Sequence, residues 1–367
     1  MRECPVCRCC FPDHVEACAR DAVPVKPTLP IDPLFKQRYR LLRRLGRGGI
    51  SVVYLAREED SASERAIKII LPEYFGNSTA NIDTFLRESQ NAFALRHPNI
   101  VAVRDAGIGD QSLPFLVMDF VPGPSLEKVL LRDGPLTPAV VSEYLNGIGN
   151  GLSFAHAAGI IHGDLKPRNI LLVNDESRET AVRVTDFGLS PIKSGKLSEP
   201  AEEASGLLRS PLYLAPEQWS EDEPDARTDI YSLGVILYEM LSGKPPFKGK
   251  TNAAIMKAHL RDKPAAIARR FPGVTVELEQ VVFQALEKEP ARRPQSVESF
   301  VQQFHAALID GSPVEDEIAP DEERIVVADF AMGRTWWTTL QPILLALGVV
   351  LVITLIGIGV YYSRTSQ

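Results

Sequence analysis

The spacing of apolar residues changes along the chain from a strand-like pattern to a helix-like one. Residues 39–59, YRLLRRLGRGGISVVYLAREE, predict two strands joined by a glycine-rich turn, and residues 65–70, RAIKII, predict a third strand. Helical spacing first appears in residues 82–96, IDTFLRESQNAFALR. We therefore expect a strand-rich unit at the start of the folded body.

After residues 115–121, FLVMDFV, the apolar positions follow a helical period. This order predicts an α+β body with two lobes, in which a small β-rich lobe precedes a larger helical one. Ligands often bind between two such halves. The predicted helices of the second lobe are SLEKVLL, VVSEYLNGIGNGLSFAHAAG, DIYSLGVILYEMLSG, LEQVVFQALEK and VESFVQQFHAAL.

The two ends of the chain depart from this pattern. All five cysteines lie near the start, a run with prolines follows them, and an acidic stretch with a long apolar run closes the chain. Prolines stiffen a linker and prevent regular helix. The predicted parts are a Cys-rich segment (1–22), a Pro-rich linker (23–38), the folded body (39–307), an acidic juxtamembrane linker (308–335), a transmembrane helix (338–362) and a short tail (363–367).

Composition narrows the class of protein only slightly. An apolar content of 45% and a charged content of 24% are ordinary for a globular chain. The net charge of -7 argues against a general nucleic-acid partner. The polar, Cys-rich start does not resemble a secretory signal peptide.

The most informative polar residues interrupt an apolar run. Residues 160–172, IIHGDLKPRNILL, carry Asp164, Lys166 and Asn169 at short spacing. Other signals are ambiguous when taken singly. A Gly-rich hairpin lets backbone approach a phosphate, but it is more often a plain turn. A lysine in mid-strand, such as Lys68, is often a solvated charge.

The order of these signals removes the ambiguity. A Gly-rich turn, Lys68, Glu88 on a helix, HGDLKPRN, Asp-Phe-Gly and Ala-Pro-Glu follow one another, and this series resembles the protein-kinase signature. RESQNAFALRHPNIV, DARTDIYSLGVILYEMLSGKPPF and LEKEPARRP add to the match. From Tyr39 to about Ala307 the chain resembles the bacterial eukaryotic-like (Hanks-type) serine/threonine protein kinases. The resemblance implies the two-lobed protein kinase fold and transfer of the ATP γ-phosphate to Ser/Thr hydroxyls of protein substrates, with autophosphorylation among them.

The resemblance also implies a role for each matching residue. Asp164 orients the substrate hydroxyl and accepts its proton, Lys166 lies near the γ-phosphate, and Asn169 and Asp186 hold Mg²⁺. Phosphoryl transfer develops charge on oxygens, so cations and donors must already be aimed there. The implied ATP-binding residues are Leu45, Gly46, Arg47, Gly48, Gly49, Ile50, Ser51, Val52, Val53, Ala66, Lys68, Glu88, Met118 (the gatekeeper), Val121 and Leu171.

Three further pairings follow from the same resemblance. Lys68 is expected to pair with Glu88. A buried pair of Glu217 and Arg293 is expected to prop the peptide-binding segment, and Asp229 is expected to hold the backbone of the catalytic loop. Surface charge is the ordinary alternative for the last three residues.

The sequence departs from the family pattern at three places. Ser51 stands at the third glycine of the Gly-rich loop, Arg209 and Ser210 replace the usual Gly-Thr before Ala-Pro-Glu, and Gly163 replaces the arginine before the catalytic Asp. No residue needed for ATP, Mg²⁺ or the base is missing, so an active kinase is expected. The alternative is a catalytically silent pseudokinase scaffold at the membrane.

Gly163 bears on how such a kinase would be switched on. In most family members, the arginine at this place pairs with a phosphate on the activation loop. Gly163 has no side chain for that pairing, and residues 187–227 contain no threonine, the usual autophosphorylation target. The chain thus resembles a non-RD kinase, and we expect its activation loop to order without phosphorylation.

The Cys-rich segment, CPVCRCCFPDHVEACARD, predicts one structural Zn²⁺. The two-residue spacing of Cys4 and Cys7 lets both thiolates face one metal, and Cys18 offers a third. The fourth ligand is open among Asp21, Cys9, Cys10 and His14. Similar short ribbons ahead of some bacterial kinase domains favour Asp21. The alternative is a disordered, reduced cysteine cluster, and we expect a chain starting near Pro30 to keep kinase activity.

The apolar run near the C-terminus predicts a single-pass membrane anchor. Residues 340–362 carry no charge, and a helix of about 23 residues crosses a bilayer core of roughly 30 Å. Aromatic residues lie at both ends of the run. Because a kinase needs ATP, we expect the kinase domain in the cytoplasm and the anchor in the cell inner membrane. The expected partners are protein substrates and the lipid bilayer, while a homodimer stays open.

Overall fold

We describe the protein from a computed structural model. The described residues are 1–48, 51–71, 79–173, 182–187, 211–220, 223–268, 270–271 and 273–310. All described residues belong to one compact unit, residues 1–314, which therefore contains the Cys-rich segment, the predicted linker and the predicted folded body together.

The β-rich lobe is built on an antiparallel sheet with the strand order β4-β5-β6-β7-β9-β8. The hairpin predicted around the Gly-rich turn is present as β5 and β6, and its turn is closed by Gly48 N donating to Ser51 O at 2.8 Å. The strands are β4 Leu34–Phe35, β5 Tyr39–Arg47, β6 Ser51–Glu58, β7 Glu64–Ile70, β8 Val103–Ile108 and β9 Pro114–Asp119.

The two faces of this sheet pack in two different apolar clusters. Side chains alternate between the faces of a strand, so the neighbours Val52 and Val53 point in opposite directions. Val52 packs with Tyr39, Tyr54 and Ile67 on the outer face. Val53 packs on the other face with the cluster that includes residues of helix α1, Thr79–Ala94.

The Cys-rich segment is folded against the outer face of this sheet. Its three short strands are β1 Arg2–Glu3, β2 Cys10–Phe11 and β3 Lys26–Pro27, in the order β2-β1-β3. The predicted linker is packed as well, because Leu29, Ile31 and Phe35 are buried in the outer apolar cluster. Residues before Tyr39 therefore contribute to the core of the β-rich lobe.

The second lobe is helical, as the sequence predicts. Its helices begin at side-chain caps: the hydroxyls of Ser125 and Thr137 accept from backbone N–H groups of α2 and α3, and Asp225 does so for α4. A two-stranded sheet of β10 and β11 lies at its edge. These elements are α2 Leu126–Asp133, α3 Pro138–Ala157, β10 Ile170–Leu172, β11 Val182–Val184, α4 Ala226–Ser242, α5 Asn252–Arg261, α6 Val276–Ala285 and α7 Val297–Asp310.

Helix α5 is the element of this lobe that the apolar pattern does not predict. Its side chains are mostly small or polar, and only Ile255, Ala258 and His259 are buried. The start of the helix is set instead by Thr251, whose hydroxyl accepts from Ala254 N. A capping signal therefore marks this helix better than hydrophobic spacing does.

Glycines inside α3 allow close approach of neighbouring segments. A Cβ at Gly149 would lie 2.6 Å from Val301 Cγ2 of α7, and one at Gly151 would lie 2.9 Å from the carbonyl oxygen of Asn99. Both distances are shorter than side-chain contacts allow. The glycines thus lower the helix propensity of α3 in exchange for tight packing at its centre.

Within the described residues, no helix combines the length and the apolar character needed to cross a bilayer. The predicted span, 338–362, lies outside those residues, as do the tail and all but the first three residues of the predicted juxtamembrane linker.

A buried ion pair joins two distant parts of the helical lobe. Arg293 is 2% exposed and donates Nη1 and Nη2 to the two carboxylate oxygens of Glu217 at 2.7 and 2.8 Å. Thr228 Oγ1 also donates to this carboxylate at 2.8 Å. Burial alone would raise the pKa of Glu217, but the hydrogen bonds and charge of Arg293 outweigh it and hold the pKa below its usual range.

Arg293→Ala should lower the free energy of unfolding by about 3–5 kcal/mol, because it leaves a buried carboxylate without its partner. The matched control is Arg292→Ala, since Arg292 pairs with Glu289 where both side chains are about two-thirds exposed and such pairs contribute little. Urea unfolding of the two variants measures the difference. Equal stabilities would contradict the structural role given to Arg293.

Candidate active site

The catalytic loop runs from the end of α3 to β10 and is held by one buried carboxylate. Asp229, at the start of α4, accepts from the backbone N–H groups of His162 and Gly163 at 2.8 Å each. Its Oδ2 also lies 2.7 Å from Nε2 of His156. Burial raises the pKa of Asp229, but the hydrogen bond from His156 and the other donors outweigh it, so the net shift is downward. The expected role of Asp229 matches this geometry.

Asp164 lies on this loop among groups that orient it. Lys166 Nζ is 2.8 Å from Asp164 Oδ2, and Asn169 Nδ2 donates to the carbonyl oxygen of Asp164 at 2.9 Å. The Asp164 side chain is only 3% exposed. A carboxylate held in this way is positioned to accept a proton, and positioning supplies most of what a base contributes here.

Lys68 and Asp186 bring the two lobes together at the site. Lys68, on β7, places its Nζ 2.6 Å from Oδ2 of Asp186, which follows β11. Asp186 has a backbone φ of +72°, a left-handed conformation that a non-glycine residue adopts only when its surroundings enforce it. The next residue, Phe187, packs its ring edge-on against His162 with centroids 4.8 Å apart.

Glu88 does not pair with Lys68 among the described residues. Its Oε1 lies 3.8 Å from Nε of Arg87, and its Oε2 accepts from Asn91 Nδ2 at 3.5 Å. The ammonium of Lys68 is paired with Asp186 instead. The ion pair that the resemblance implies is therefore not the one formed in this structure.

The residues expected around adenine do lie together. Ala66, Met118 and Val121 are buried in one apolar cluster, and Leu45, Val53 and Leu171 pack against it from both lobes. The gatekeeper Met118 pairs in register with Ala66. Behind it, Thr185 Oγ1 donates to Met118 Sδ at 3.8 Å.

The other residues predicted to bind nucleotide do not belong to the apolar cluster around Met118. The Val52 side chain points into the outer cluster, so only its backbone faces the Gly-rich turn. Gly46, Arg47, Gly48 and Ser51 belong to the hairpin itself. Gly49 and Ile50 lie outside the described residues.

Asn169 and Asp186 offer the oxygen donors that Mg²⁺ prefers. Asn169 uses its Nδ2 to hold the backbone of Asp164, which leaves its amide oxygen as the group for a metal. Thr185 N donates to Asn169 O at 2.9 Å, so the segments that carry the two candidate ligands are hydrogen-bonded to each other. The donor set therefore fits the ion that the kinase family implies.

Gly163 adopts φ +67°, so a glycine is well suited to this point of the loop. Its carbonyl oxygen accepts from Nε2 of Gln218 at 2.8 Å, while Oε1 of Gln218 accepts from Ala215 N at 2.9 Å. Gln218, the residue after Ala-Pro-Glu, thus ties the segment expected to bind peptide to the catalytic loop. Sequence reasoning missed Gln218, and an amide directly after that motif was the available signal.

The serines of the activation loop, residues 190–210, lie outside the described residues.

The Cys-rich segment brings four possible metal ligands together. One ligand atom from each of Cys4, Cys7, Cys18 and Asp21 lies within 4.8 Å of all the others. Asp21 Oδ2 is 3.1 Å from Cys4 Sγ and 3.5 Å from Cys18 Sγ, and Cys7 Sγ is 3.6 Å from Cys18 Sγ. Of the four candidates for the fourth ligand, Asp21 is the one that joins this group.

Two turns of the same form carry these ligands. In the first, Arg8 N donates to Cys4 O and Cys4 N donates to Cys9 O. In the second, Ala22 N donates to Cys18 O and Cys18 N donates to Val23 O. The residue after each second ligand is left-handed, with φ +63° at Arg8 and φ +54° at Ala22.

This correspondence places Asp21 where the first turn has Cys7. Backbone N–H groups point at the sulfurs: Val6 N donates to Cys4 Sγ and Asp21 N donates to Cys18 Sγ, both at 3.4 Å. Such donors orient and stabilise thiolate ligands. Cysteine sulfur and aspartate oxygen are both accepted by zinc, so the donor set fits a four-coordinate structural ion.

Comparison with known proteins agrees with the fold. Residues 39–305 match the protein kinase domain family. The kinase domain of PknI from Mycobacterium tuberculosis superposes with a TM-score of 0.59 at 24% identity, covering 76% of this chain and 99% of that one, which supports the fold alone.

Two curated relatives are similar in sequence. Serine/threonine-protein kinase PknB of Mycobacterium leprae is 38% identical over 267 residues, which cover 72% of this chain and 42% of the relative. PknB of Mycolicibacterium smegmatis is 37% identical over 292 residues, covering 79% and 45%. The chain spans less than half the length of these relatives. On the matched domain and the ordered site, the chain belongs to the protein kinase family, among the bacterial Hanks-type serine/threonine kinases.

Proposed function

We propose that the protein transfers the γ-phosphate of ATP to serine or threonine hydroxyls of protein substrates. The observation that carries this proposal is the contact of Lys68 with Asp186 at 2.6 Å, formed across the lobes. It sets the phosphate-binding lysine beside the metal-binding carboxylate, and Asp164 lies on the loop that is hydrogen-bonded to that segment. A site with this order suits in-line phosphoryl transfer.

Each polar group then has one task. Lys68 binds the α- and β-phosphates, and Lys166, held beside the base, lies near the phosphoryl group. Asp164 orients the acceptor hydroxyl and takes its proton. Asn169 and Asp186 would hold Mg²⁺, which when bound neutralises charge on the phosphate oxygens.

Nucleotide binding requires the Lys68 ammonium to exchange partners. In the present structure it is neutralised by Asp186. With nucleotide and Mg²⁺ bound, Asp186 would hold the metal, and the Lys68 ammonium would be available to the phosphates. Glu88 is then the carboxylate on α1 available to Lys68, as the family resemblance implies.

The rival function, a catalytically silent scaffold, has less support. A scaffold needs neither a base held at 3% exposure nor an aspartate kept in a left-handed conformation. Backbone strain of this kind is retained where surrounding contacts enforce it, and it concentrates at working sites.

We propose in addition that the Cys-rich segment binds one structural Zn²⁺ through Cys4, Cys7, Cys18 and Asp21. The support is the correspondence of the two ligand turns, which puts the carboxylate of Asp21 in the place of a fourth thiolate. The alternative of a disordered cysteine cluster does not account for two matching turns.

Membrane attachment remains a proposal based on the sequence. The uncharged run within 338–362 supports a single-pass anchor in the cell inner membrane, with the kinase domain in the cytoplasm. Proximity at the membrane would raise the effective concentration of protein substrates that share it.

Asp164→Asn, Lys68→Met and Asp186→Asn should each abolish measurable phosphoryl transfer, because each removes one aligned part of the site. Lys68→Met should also weaken nucleotide binding. The control Asp133→Asn makes the same chemical change at the exposed end of α2 and should leave the rate unchanged. Transfer of labelled γ-phosphate to a generic protein acceptor measures all four. Wild-type protein without Mg²⁺-dependent transfer would favour the scaffold.

Gln218→Ala should raise KM for the protein acceptor and leave KM for ATP unchanged. The lost hydrogen bond to Gly163 O is worth about 1 kcal/mol, or roughly fivefold in kcat/KM. Gln302→Ala, on the exposed side of α7, is the control. If the two variants had the same KM for acceptor, Gln218 would have no part in positioning it.

Purified protein should contain about one Zn²⁺ per chain, consistent with a single four-ligand site. Cys4→Ser and Cys7→Ser should lose the metal, Asp21→Cys should retain it, and Cys9→Ser should retain it because Cys9 is not among the four clustered ligands. Metal analysis with circular dichroism as a folding control tests this. Metal-free native protein, isolated without chelator, would rule the site out.

A further inference from the structure

The turn that carries Cys4 and Cys7, the first ligand turn, contacts the β-rich lobe at one strand. Arg8, the residue after Cys7, accepts from Arg44 N through its carbonyl oxygen at 2.9 Å. The next residue, Cys9, forms an isolated antiparallel bridge with Arg43. The backbone that leaves the metal ligands is therefore hydrogen-bonded directly to β5.

This contact lies on the part of β5 where its pairing with β6 is irregular. The pairing of β5 with β6 shifts register between Leu41 and Arg43 and again between Arg44 and Gly46. Arg43 and Arg44 pair with Leu55 and Tyr54 of β6, but they form a short paired stretch with an irregularity on each side. The very next residue, Leu45, packs against the adenine cluster, and Gly46 begins the Gly-rich turn.

Side chains reinforce the backbone contact. Arg44 donates Nε to Glu3 Oε1 at 2.9 Å, and its Nη2 lies 2.7 Å from the same oxygen. The two side chains are only 25% and 10% exposed, so this pair is screened less than a surface pair. Glu3 directly precedes the ligand Cys4, which ties the first ligand to the same strand.

The apolar contact between the two parts is equally direct. Met1 is 3% exposed and belongs to the outer cluster of the sheet together with Tyr39 and Val52. Cys10, just past the ligand turn, packs against the same cluster. This packing also argues against the expectation that the kinase body is independent of the residues before Pro30.

We propose that metal occupancy of the Cys4–Cys7–Cys18–Asp21 site tightens nucleotide binding by fixing β5 at Arg43 and Arg44. The proposal rests on the kinase and zinc functions proposed above and adds their coupling. Arg8 is a non-glycine residue in the left-handed region, a conformation that persists only while the ligand turn enforces it. Without the ion, the turn relaxes, the Arg8–Arg44 hydrogen bond weakens, and the strand that carries Leu45 and Gly46 loses its outer support.

Such coupling must act in both directions. If zinc increases the affinity for nucleotide by some factor, nucleotide increases the affinity for zinc by the same factor. The two binding sites share one element, β5, whose position both of them bias, so a physical connection exists for the effect. Zinc should change the affinity for nucleotide rather than the rate of the chemical step, because the base Asp164 lies on the other lobe.

The experiment measures the Kd of a non-hydrolysable ATP analogue for the full chain with Zn²⁺ bound and after removal of Zn²⁺ by a chelator. We expect the Kd to rise roughly fivefold or more on metal removal, within the usual range of coupling between sites. Zinc affinity measured with and without saturating analogue should change by the same factor. Near-UV circular dichroism monitors tertiary structure in every sample.

Two arginines of β5 provide a matched comparison. Arg44→Ala removes the pair with Glu3 and should reduce the coupling factor toward one while both ligands still bind. Arg40→Ala removes an arginine from the same strand, where it pairs with exposed Glu59 rather than with the Cys-rich segment, and should leave the factor unchanged.

The outcomes separate the proposals. Equal Kd values for analogue in loaded and stripped protein would overturn the coupling alone. A chain that binds no zinc, or no ATP analogue, would overturn the coupling together with the zinc or the kinase proposal respectively. Loss of the near-UV signal on zinc removal would also overturn it, because the ion would then support the whole lobe rather than one strand.

Discussion

The buried carboxylate of Asp229 fixes the backbone of the catalytic loop, and the positions of the other active-site residues depend on that backbone. It has no solvent contact and holds two consecutive backbone N–H groups of the catalytic loop. A carboxylate buried without those donors would be strongly unfavourable, so the loop and the helix α4 require each other. Asp164 and Asn169 take their places relative to that fixed backbone, and Asp186 follows through the hydrogen bond of Thr185 to Asn169.

Much of the fold and the site could be predicted from sequence because the relevant signals are local. Apolar patterning predicted β5, β6 and β7 of the small lobe and every α-helix of the large lobe except α5, but it did not predict β4, β8 or β9. The adenine cluster was predictable because its members occupy motif positions, and Ala66, Met118 and Leu171 do lie together. Asp229 was likewise predictable, since its motif specifies a buried acceptor near the catalytic loop.

What the sequence did not reveal depends on contacts between distant segments. Lys68 pairs with Asp186 rather than with Glu88. The spacing of residues in the sequence cannot show which of these two carboxylates lies nearer to the lysine. The packing of Met1 and Leu29 into the core of the β-rich lobe was hidden because prolines suggested an open linker. The similarity of the turn at Cys4–Cys7 to the turn at Cys18–Asp21 is visible only in the backbone geometry. The spacing of Cys18 and Asp21 in the sequence is compatible with such a turn but does not specify it.

The link between Gln218 and Gly163 has a consequence for signalling. It joins a neutral side-chain amide to a backbone carbonyl, so it carries no net charge and responds little to ionic strength. No phosphatase can remove it, in contrast to a phosphate held by an arginine. This hydrogen bond between the residue after Ala-Pro-Glu and the catalytic loop therefore needs no phosphate in order to form. We therefore expect dephosphorylation of the chain to leave this particular hydrogen bond in place.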